Sequence, residues 1–266
     1  MTPHKPPIVL TTDFGLKDEY VGVLKGVILS IDADATIIDL THLISPQNIR
    51  EAARIIGRNY RFFPGHSIHL CIVDPGVGSR RRILAVNAAN QYFIGPDNGV
   101  FTPIFTSGTC VAVYEVTNEH WFLDNISNTF HGRDIMAPTV AHLSLGEPIE
   151  SAGPLVSIST CVAISNPQPN VSPEGLSGLI DFIDRFGNLV TNISAEALSA
   201  CANQRQCDVV MGDRVMVLSR QSYADMADNT PTALMNSSGF IEICIKNGNA
   251  AQMLGAKVGD QVLIRT

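Results

Sequence analysis

The chain has 266 residues, of which 45% are apolar and 16% charged, and its formal net charge is −7. Such a length exceeds one ordinary domain, and the composition supports a sizeable core. The acidic balance excludes nonspecific nucleic-acid binding, which needs a basic surface, and no apolar run reaches the roughly 18–20 residues of a membrane span.

Met1 to Pro7 holds three prolines and a lysine where a secretory segment would be apolar, so a soluble, cytoplasmic protein is expected. Ile8 to Leu10 opens a short strand that runs into Thr11, Thr12 and Asp13 before Phe14 and Gly15 break it. Tyr20, Val21, Leu24, Val27, Ile28 and Ile31 then recur at helical spacing, with Asp18 as the expected N-cap. Thr36 to Leu40, containing Asp39, is a second strand. Ser45 and Pro46 form a helix-start signal ahead of the stripe Ile49, Ala52, Ala53, Ile56 and Tyr60.

Ser67 to Val73 reads as a buried strand that ends on a carboxylate, Asp74. The turn Pro75-Gly76-Val77-Gly78 follows, then Arg80, Arg81 and Arg82. On its own this stretch fits a polar ligand site or a plain tight turn with a basic flank. Ile83 to Val86 and Tyr92 to Ile94 are further strands, the latter leading into the turn Gly95-Pro96-Asp97-Asn98-Gly99. Strands and helices alternating in this way imply a largely parallel sheet flanked by helices. Ligands of such sheets sit outside the carboxyl ends of the strands, where Asp13, Asp74 and Asp97 all fall. His131 and Arg133, in Asn128-Thr129-Phe130-His131-Gly132-Arg133-Asp134, lie in a loop before a short amphipathic helix. His66 and His69 have an odd separation that sends them to opposite faces of a strand, which disfavours a metal pair.

Residues 166–174 are rich in proline and read as a linker between an α/β domain over 1–165 and a smaller all-β domain over 175–266. Beyond the linker come short runs at Gly178–Ile183, Leu189–Ile193, Asp208–Met211, Arg214–Leu218, Phe240–Ile245 and Gln261–Ile264. Their turns are polar, the pattern of an antiparallel barrel or sandwich. The six cysteines form no C-x-x-C pair and read as reduced residues. Neither a Walker A motif nor a G-x-G-x-x-G fingerprint is present.

Taken in order, the segments Thr11–Gly26, Arg61–Arg82, Phe93–Phe101, Asn128–Pro138, Ile183–Ile193 and Gly248–Asp260 resemble the S-adenosylmethionine (SAM) hydroxide adenosyltransferases, or SAM hydrolases. That family shares a superfamily with the SAM-dependent chlorinases and fluorinases. The resemblance implies an N-terminal α/β domain and a C-terminal β-barrel. It also implies a homotrimer whose active sites lie between neighbouring subunits, and hydrolysis of SAM to adenosine and L-methionine without metal or organic cofactor. Substrate and water are the small-molecule partners, with no nucleic acid or membrane. The alternatives are a SAM halogenase and a non-catalytic SAM- or adenosine-binding protein.

Residue by residue, the resemblance makes Asp74, Arg81 and His131 the catalytic set, with Arg80 and Arg82 as neighbours that compete for the arginine role. It places Asp13, Asp18, Phe130, Tyr223, Asn249 and Ala250 around the adenosyl group, and Asp184, Asn188 and Ser237 around the methionine end. A carboxylate accepting two hydrogen bonds suits a ribose diol, which is the role given to Asp13. In the halogenases the position of Asp74 is typically aromatic and that of Gly132 a serine. An aspartate of ordinary pKa, about 3.9, is too weak a base to deprotonate water, so a guanidinium that stabilises developing hydroxide is the expected device.

Overall fold

The computed structural model describes residues 5–201, 207–219 and 222–265, so Met1 to His4 of the opening segment lie outside the described residues. The chain divides into two units, Met1–Ser165 and Asn166–Thr266. In the first, the strands are β1 (Ile8–Thr12), β2 (Ile37–Thr41), β3 (Ile68–Ile72), β4 (Ile83–Ala88), β5 (Gln91–Pro96) and β6 (Cys110–Glu115). Its helices are α1 (Tyr20–Ile31), α2 (Ile49–Asn59), α3 (Thr102–Thr106) and α4 (Ala137–Ser144). The sheet order is β2-β1-β3-β5-β4-β6, and β2, β1, β3 and β5 pair in parallel.

Only β4 runs against its neighbours. The cause is local: Ala89 and Asn90 both take positive φ, 51° and 59°, which makes the two-residue turn that returns a strand on itself. Alternation along β3 then builds three layers. Ile68, Leu70 and Ile72 face Leu24 and Ile28 of α1 and Val140 and Leu143 of α4. Cys71 and Val73 face Ala52 and Ile56 of α2 and Ile104 of α3. A strand buried on both faces must be apolar at every position, as this one nearly is.

Both helix starts differ from the sequence expectation. α1 begins at Tyr20 with Glu19 at the cap and no side-chain bond there, so Asp18 is an exposed turn residue rather than a cap. α2 begins after Asn48, whose side chain accepts from the Glu51 amide at 3.0 Å. Gln47 intervenes with φ 65°, a conformation that cannot continue a helix from Ser45 and Pro46. His131 is likewise not a loop residue. It caps a π-helical turn over Gly132–Met136 that contains Arg133 and runs into α4.

The second unit contains β7 (Asn170–Ser172), β8 (Gly175–Ile183), β9 (Leu189–Ser194), β10 (Asp208–Met211), β11 (Arg214–Ser219), β12 (Pro231–Met235), β13 (Phe240–Ile245) and β14 (Gln261–Arg265). Two short helices, α5 (Ala195–Cys201) and α6 (Ala250–Leu254), accompany them. Strand order is β14-β10-β11-β12-β13-β9-β8-β7, and β14 also pairs with β8, closing a barrel with β7 as an outer appendage. Its core includes Leu176, Ile180, Val209, Ile241, Ile243, Val262 and Ile264. The barrel is not wholly antiparallel, because β11 and β12 pair in parallel. Within residues 166–174 lies β7, which pairs with β8 just beyond the segment.

All six cysteines are free, three buried and three half-buried. No helix among the described residues is long and apolar enough to cross a membrane.

Candidate active site

Thr12 of β1 lies in register with Ile72 of β3, so the loops after these parallel strands leave the sheet at one rim. Asp13 and Asp74 therefore stand together, and with Tyr20, Phe130, His131 and Gly132 they help line a cavity of about 420 Å³. That volume suits a small-molecule ligand.

The glycine turn after β3 explains how Arg81 reaches Asp74. The Val77 amide donates to the Asp74 carbonyl at 3.2 Å and the Ser79 amide to the Gly76 carbonyl at 3.1 Å, folding the chain back on itself. Gly78 has φ 78°, and a Cβ there would lie 2.3 Å from the Asn128 carbonyl oxygen. Glycine at that point lets the turn press against the segment that carries His131. Arg81 Nε then donates to Asp74 Oδ1 at 2.8 Å and to Oδ2 at 2.7 Å, and Nη2 donates to Oδ2 as well. The same Nη2 lies 3.1 Å from His131 Nδ1.

A guanidinium can only donate, so His131 Nδ1 accepts and the imidazole is neutral. Burial, reinforced by the Arg81 charge, holds the His131 pKa below its usual value of 6.5, against the opposing pull of Asp74 and Asp134. The other two arginines lie elsewhere. Arg82 donates to Asp97 Oδ2 from Nε at 2.9 Å and from Nη2 at 2.6 Å, and also to the Thr160 carbonyl. Asp97 accepts in addition from the Val162 amide at 2.8 Å and is absent from the cavity wall, so of the three rim carboxylates two open into the cavity. Arg80 is exposed.

Asp13 Oδ2 accepts from the Gln47 amide at 2.7 Å, which turns its carboxylate along the cavity wall. Asp18 does not line the cavity. Phe130 does, packed at 5.7 Å from Phe14 and 5.3 Å from Tyr20 with near-perpendicular rings, and covered by the Arg133 guanidinium at 5.3 Å. Phe14, Tyr20 and Gln47 were not singled out from sequence. Tyr20 sits in a helical apolar stripe and reads as core, although it is 41% exposed. Only its place at the first position of α1, just after the loop that carries Asp13, hints otherwise. Among the described residues no group of three or more His, Cys, Asp or Glu side chains is arranged to hold a metal ion.

The remaining candidates lie in the second unit. Asp184 Oδ1 accepts from the Phe186 amide at 2.8 Å and the Asn188 amide at 2.9 Å, while Oδ2 accepts from Asn188 Nδ2 at 2.9 Å. Gly187, φ 84°, lets this turn approach Asn249, which caps α6 by accepting from the Gln252 amide at 2.8 Å. Ala250 is fully buried at the start of α6, and Ser237 is exposed between β12 and β13. The Tyr223 hydroxyl donates to Glu242, a buried carboxylate on β13 that also accepts from Asn236 Nδ2 at 3.2 Å. Burial and that carboxylate push the Tyr223 pKa up, with Asp184 contributing. Glu242 was missed as well; a lone glutamate inside the run Phe240–Ile245 was the available signal.

The family model described as SAM hydroxide adenosyltransferase N-terminal domain matches residues 8–153, and its C-terminal counterpart matches residues 178–263. A protein of Salinispora tropica named (R)-S-adenosyl-L-methionine hydrolase is 34% identical, covering 97% of either chain. A fluorinase of Actinopolyspora mzabensis is 29% identical over 98% of this chain and 97% of its own. Among solved structures, an uncharacterised conserved protein of Thermotoga maritima superposes with a TM-score of 0.88 at 35% identity, covering 97% of this chain and 99% of that one.

Proposed function

The chain belongs to the SAM hydroxide adenosyltransferase family, and from that membership we infer that it hydrolyses S-adenosyl-L-methionine to adenosine and L-methionine. The observation that carries the mechanism is the hydrogen-bonded chain Asp74–Arg81–His131, of which Asp74 and His131 line the cavity. A water oxygen forms a bond to C5′ while the C5′–sulfur bond breaks, its electron pair returning to the thioether of methionine, and one proton is released. Bulk water has a pKa near 15.7, so the developing hydroxide needs a fixed positive partner. Arg81 supplies it, held in place by Asp74 on one side and His131 on the other. Hydroxide and sulfonium neutralise one another as the bond forms, which a dry pocket favours over water. The sulfonium is already an activated leaving group, so the step calls for no metal or organic cofactor.

Asp13 takes the ribose diol and Phe130 packs on the adenosyl group, with Tyr223 and the backbone near Asn249 and Ala250 as its further contacts. Asp184, Asn188 and Ser237 take the methionine end. Asp18, exposed and off the cavity wall, is the weakest of these assignments. The family resemblance supports a homotrimer with sites completed by a neighbouring subunit, and six free cysteines support a reducing, cytoplasmic setting.

Against a halogenase stand Asp74 itself and the crowding at Gly132, where a Cβ would lie 2.9 Å from Ile72 Cδ1. The test is product analysis of purified protein incubated with SAM and excess chloride or fluoride. Adenosine and methionine in equal amounts are expected. A 5′-halogenated nucleoside as main product overturns the reading, as does binding of SAM without turnover.

A further inference from the structure

Asp39, on β2, and His42, just beyond it, belong to none of the roles assigned above. His42 is buried, and so is Thr12, the last residue of β1. Thr12 Oγ1 and His42 Nδ1 lie 2.9 Å apart, and the same hydroxyl oxygen accepts from the Phe14 amide at 3.3 Å. The next amide, that of Gly15, donates to the His42 carbonyl at 2.8 Å. His42 therefore holds the turn that carries Asp13 twice, through its ring on one side and through its backbone on the other.

The far edge of the ring is fixed as well. Nε2 lies 3.1 Å from Asp39 Oδ1, within ion-pair reach although not aligned as a hydrogen bond. Asp39 Oδ2 accepts from Lys25 Nζ at 2.6 Å, which ties β2 to α1. A threonine hydroxyl that accepts from the amide two residues on bends a chain out of its strand, and it does so only in the rotamer that points at that amide. The imidazole selects that rotamer. Packing alone would be served by an apolar side chain at position 42, because a buried ring nitrogen costs desolvation unless it is bonded. The turn it shapes is the one that matters: Asp13 and Phe14 line the cavity, whereas Thr12 and His42 do not.

We propose that His42 is a positioning residue for substrate binding, acting through the Thr12 hydroxyl to set the Asp13–Phe14 turn and so the carboxylate that meets the ribose diol. It touches neither substrate nor nucleophile. This inference rests on the ribose role given to Asp13 above, and it concerns binding rather than the chemical step.

The test uses the full-length chain as wild type, Thr12→Val, Thr12→Ser, His42→Leu, His42→Asn and Asp13→Asn, titrated calorimetrically with adenosine and with 2′,3′-dideoxyadenosine. Wild type should prefer adenosine. Thr12→Val and His42→Leu should lower that preference about 5- to 10-fold, with affinity for the dideoxy compound hardly moved. Thr12→Ser keeps the hydroxyl and His42→Asn puts a polar group near the place of Nδ1, so both should retain most of it. Adding Thr12→Val to Asp13→Asn should lower the preference no further. With SAM, Thr12→Val and His42→Leu should raise KM about 5- to 10-fold and leave kcat within about 2-fold of wild type. Should His42→Leu fail to fold, the two Thr12 variants decide alone. A wild-type preference in Thr12→Val with only the melting temperature lowered overturns the proposal, and so does an equal loss of affinity for both nucleosides. A wild type that binds the two alike, or neither, overturns the ribose role of Asp13 and the proposal with it. A wild type that discriminates between them but releases no adenosine from SAM overturns the hydrolase reading instead.

Discussion

Arg81 commits three of its five N–H donors, one on Nε and two on Nη2, to Asp74 and His131. In the proposed mechanism the two on Nη1 serve the nucleophile, so the neighbours aim the cation rather than act as bases themselves. Replacing Arg81 with lysine should lower turnover about 100- to 1,000-fold, because a point charge cannot keep this fork. Arg82→Lys should lower the melting temperature while turnover stays near wild type, since Arg82 is tied to Asp97 and Thr160. Arg80→Ala should leave both alone. Steady-state kinetics with thermal melts on the three variants check this; the greatest loss of turnover at Arg80 or Arg82 would contradict it. The neutral state of His131 gives a second expectation. Its pKa is depressed, so the neutral form persists above 6.5 and is lost only as pH falls below that value. The kcat/KM profile should be flat on the acid side down to about pH 6.5, with its limb below that and absent in His131→Ala. An acid limb centred above pH 7 would contradict the assignment. Asp74, Arg81 and His131 were legible in sequence because each sits in a motif of its own. Phe14, Tyr20 and Gln47 were not, because their place on the cavity wall depends on what tertiary folding puts beside them.

At the scale of elements, the site is a junction of two loops and a π-turn on one end of a parallel sheet. Gly78 is the contact point between the glycine turn and the Asn128 backbone. Gly78→Ala combines a left-handed φ with a Cβ at 2.3 Å from a carbonyl oxygen, and should cost about 1–3 kcal/mol of stability while separating Arg81 from His131. Denaturant unfolding and turnover together check it: a variant as stable and active as wild type would show that the two loops do not depend on this approach. The main strands and helices were readable from periodicity. What was not readable was set by single backbone angles and by pairing. Gln47 moved a helix start, Ala89 and Asn90 made a hairpin inside a parallel pattern, and the proline-led β12 became a strand only through its neighbours β11 and β13.

At the scale of the whole molecule, two units divide the chain, and each carries part of the proposed substrate contacts. The first holds the reacting groups on the carboxyl-end rim of a three-layer sheet. The second, a closed barrel, holds the Asp184–Asn188 turn, Tyr223 and the buried Glu242. Sequence alone divided the chain into an α/β part and a β part, because the spacing of apolar runs changes after residue 165. The barrel's closure through β14 and β8 depends on pairing between strands far apart in sequence, which periodicity does not encode. The central claim is that water-derived hydroxide attacks C5′ of SAM. Incubation of the purified protein with SAM in ¹⁸O-labelled water, followed by mass spectrometry of the products, tests it most directly. The account predicts one ¹⁸O at the 5′ position of adenosine and unlabelled methionine; unlabelled adenosine, or no adenosine from protein that demonstrably binds SAM, would contradict it.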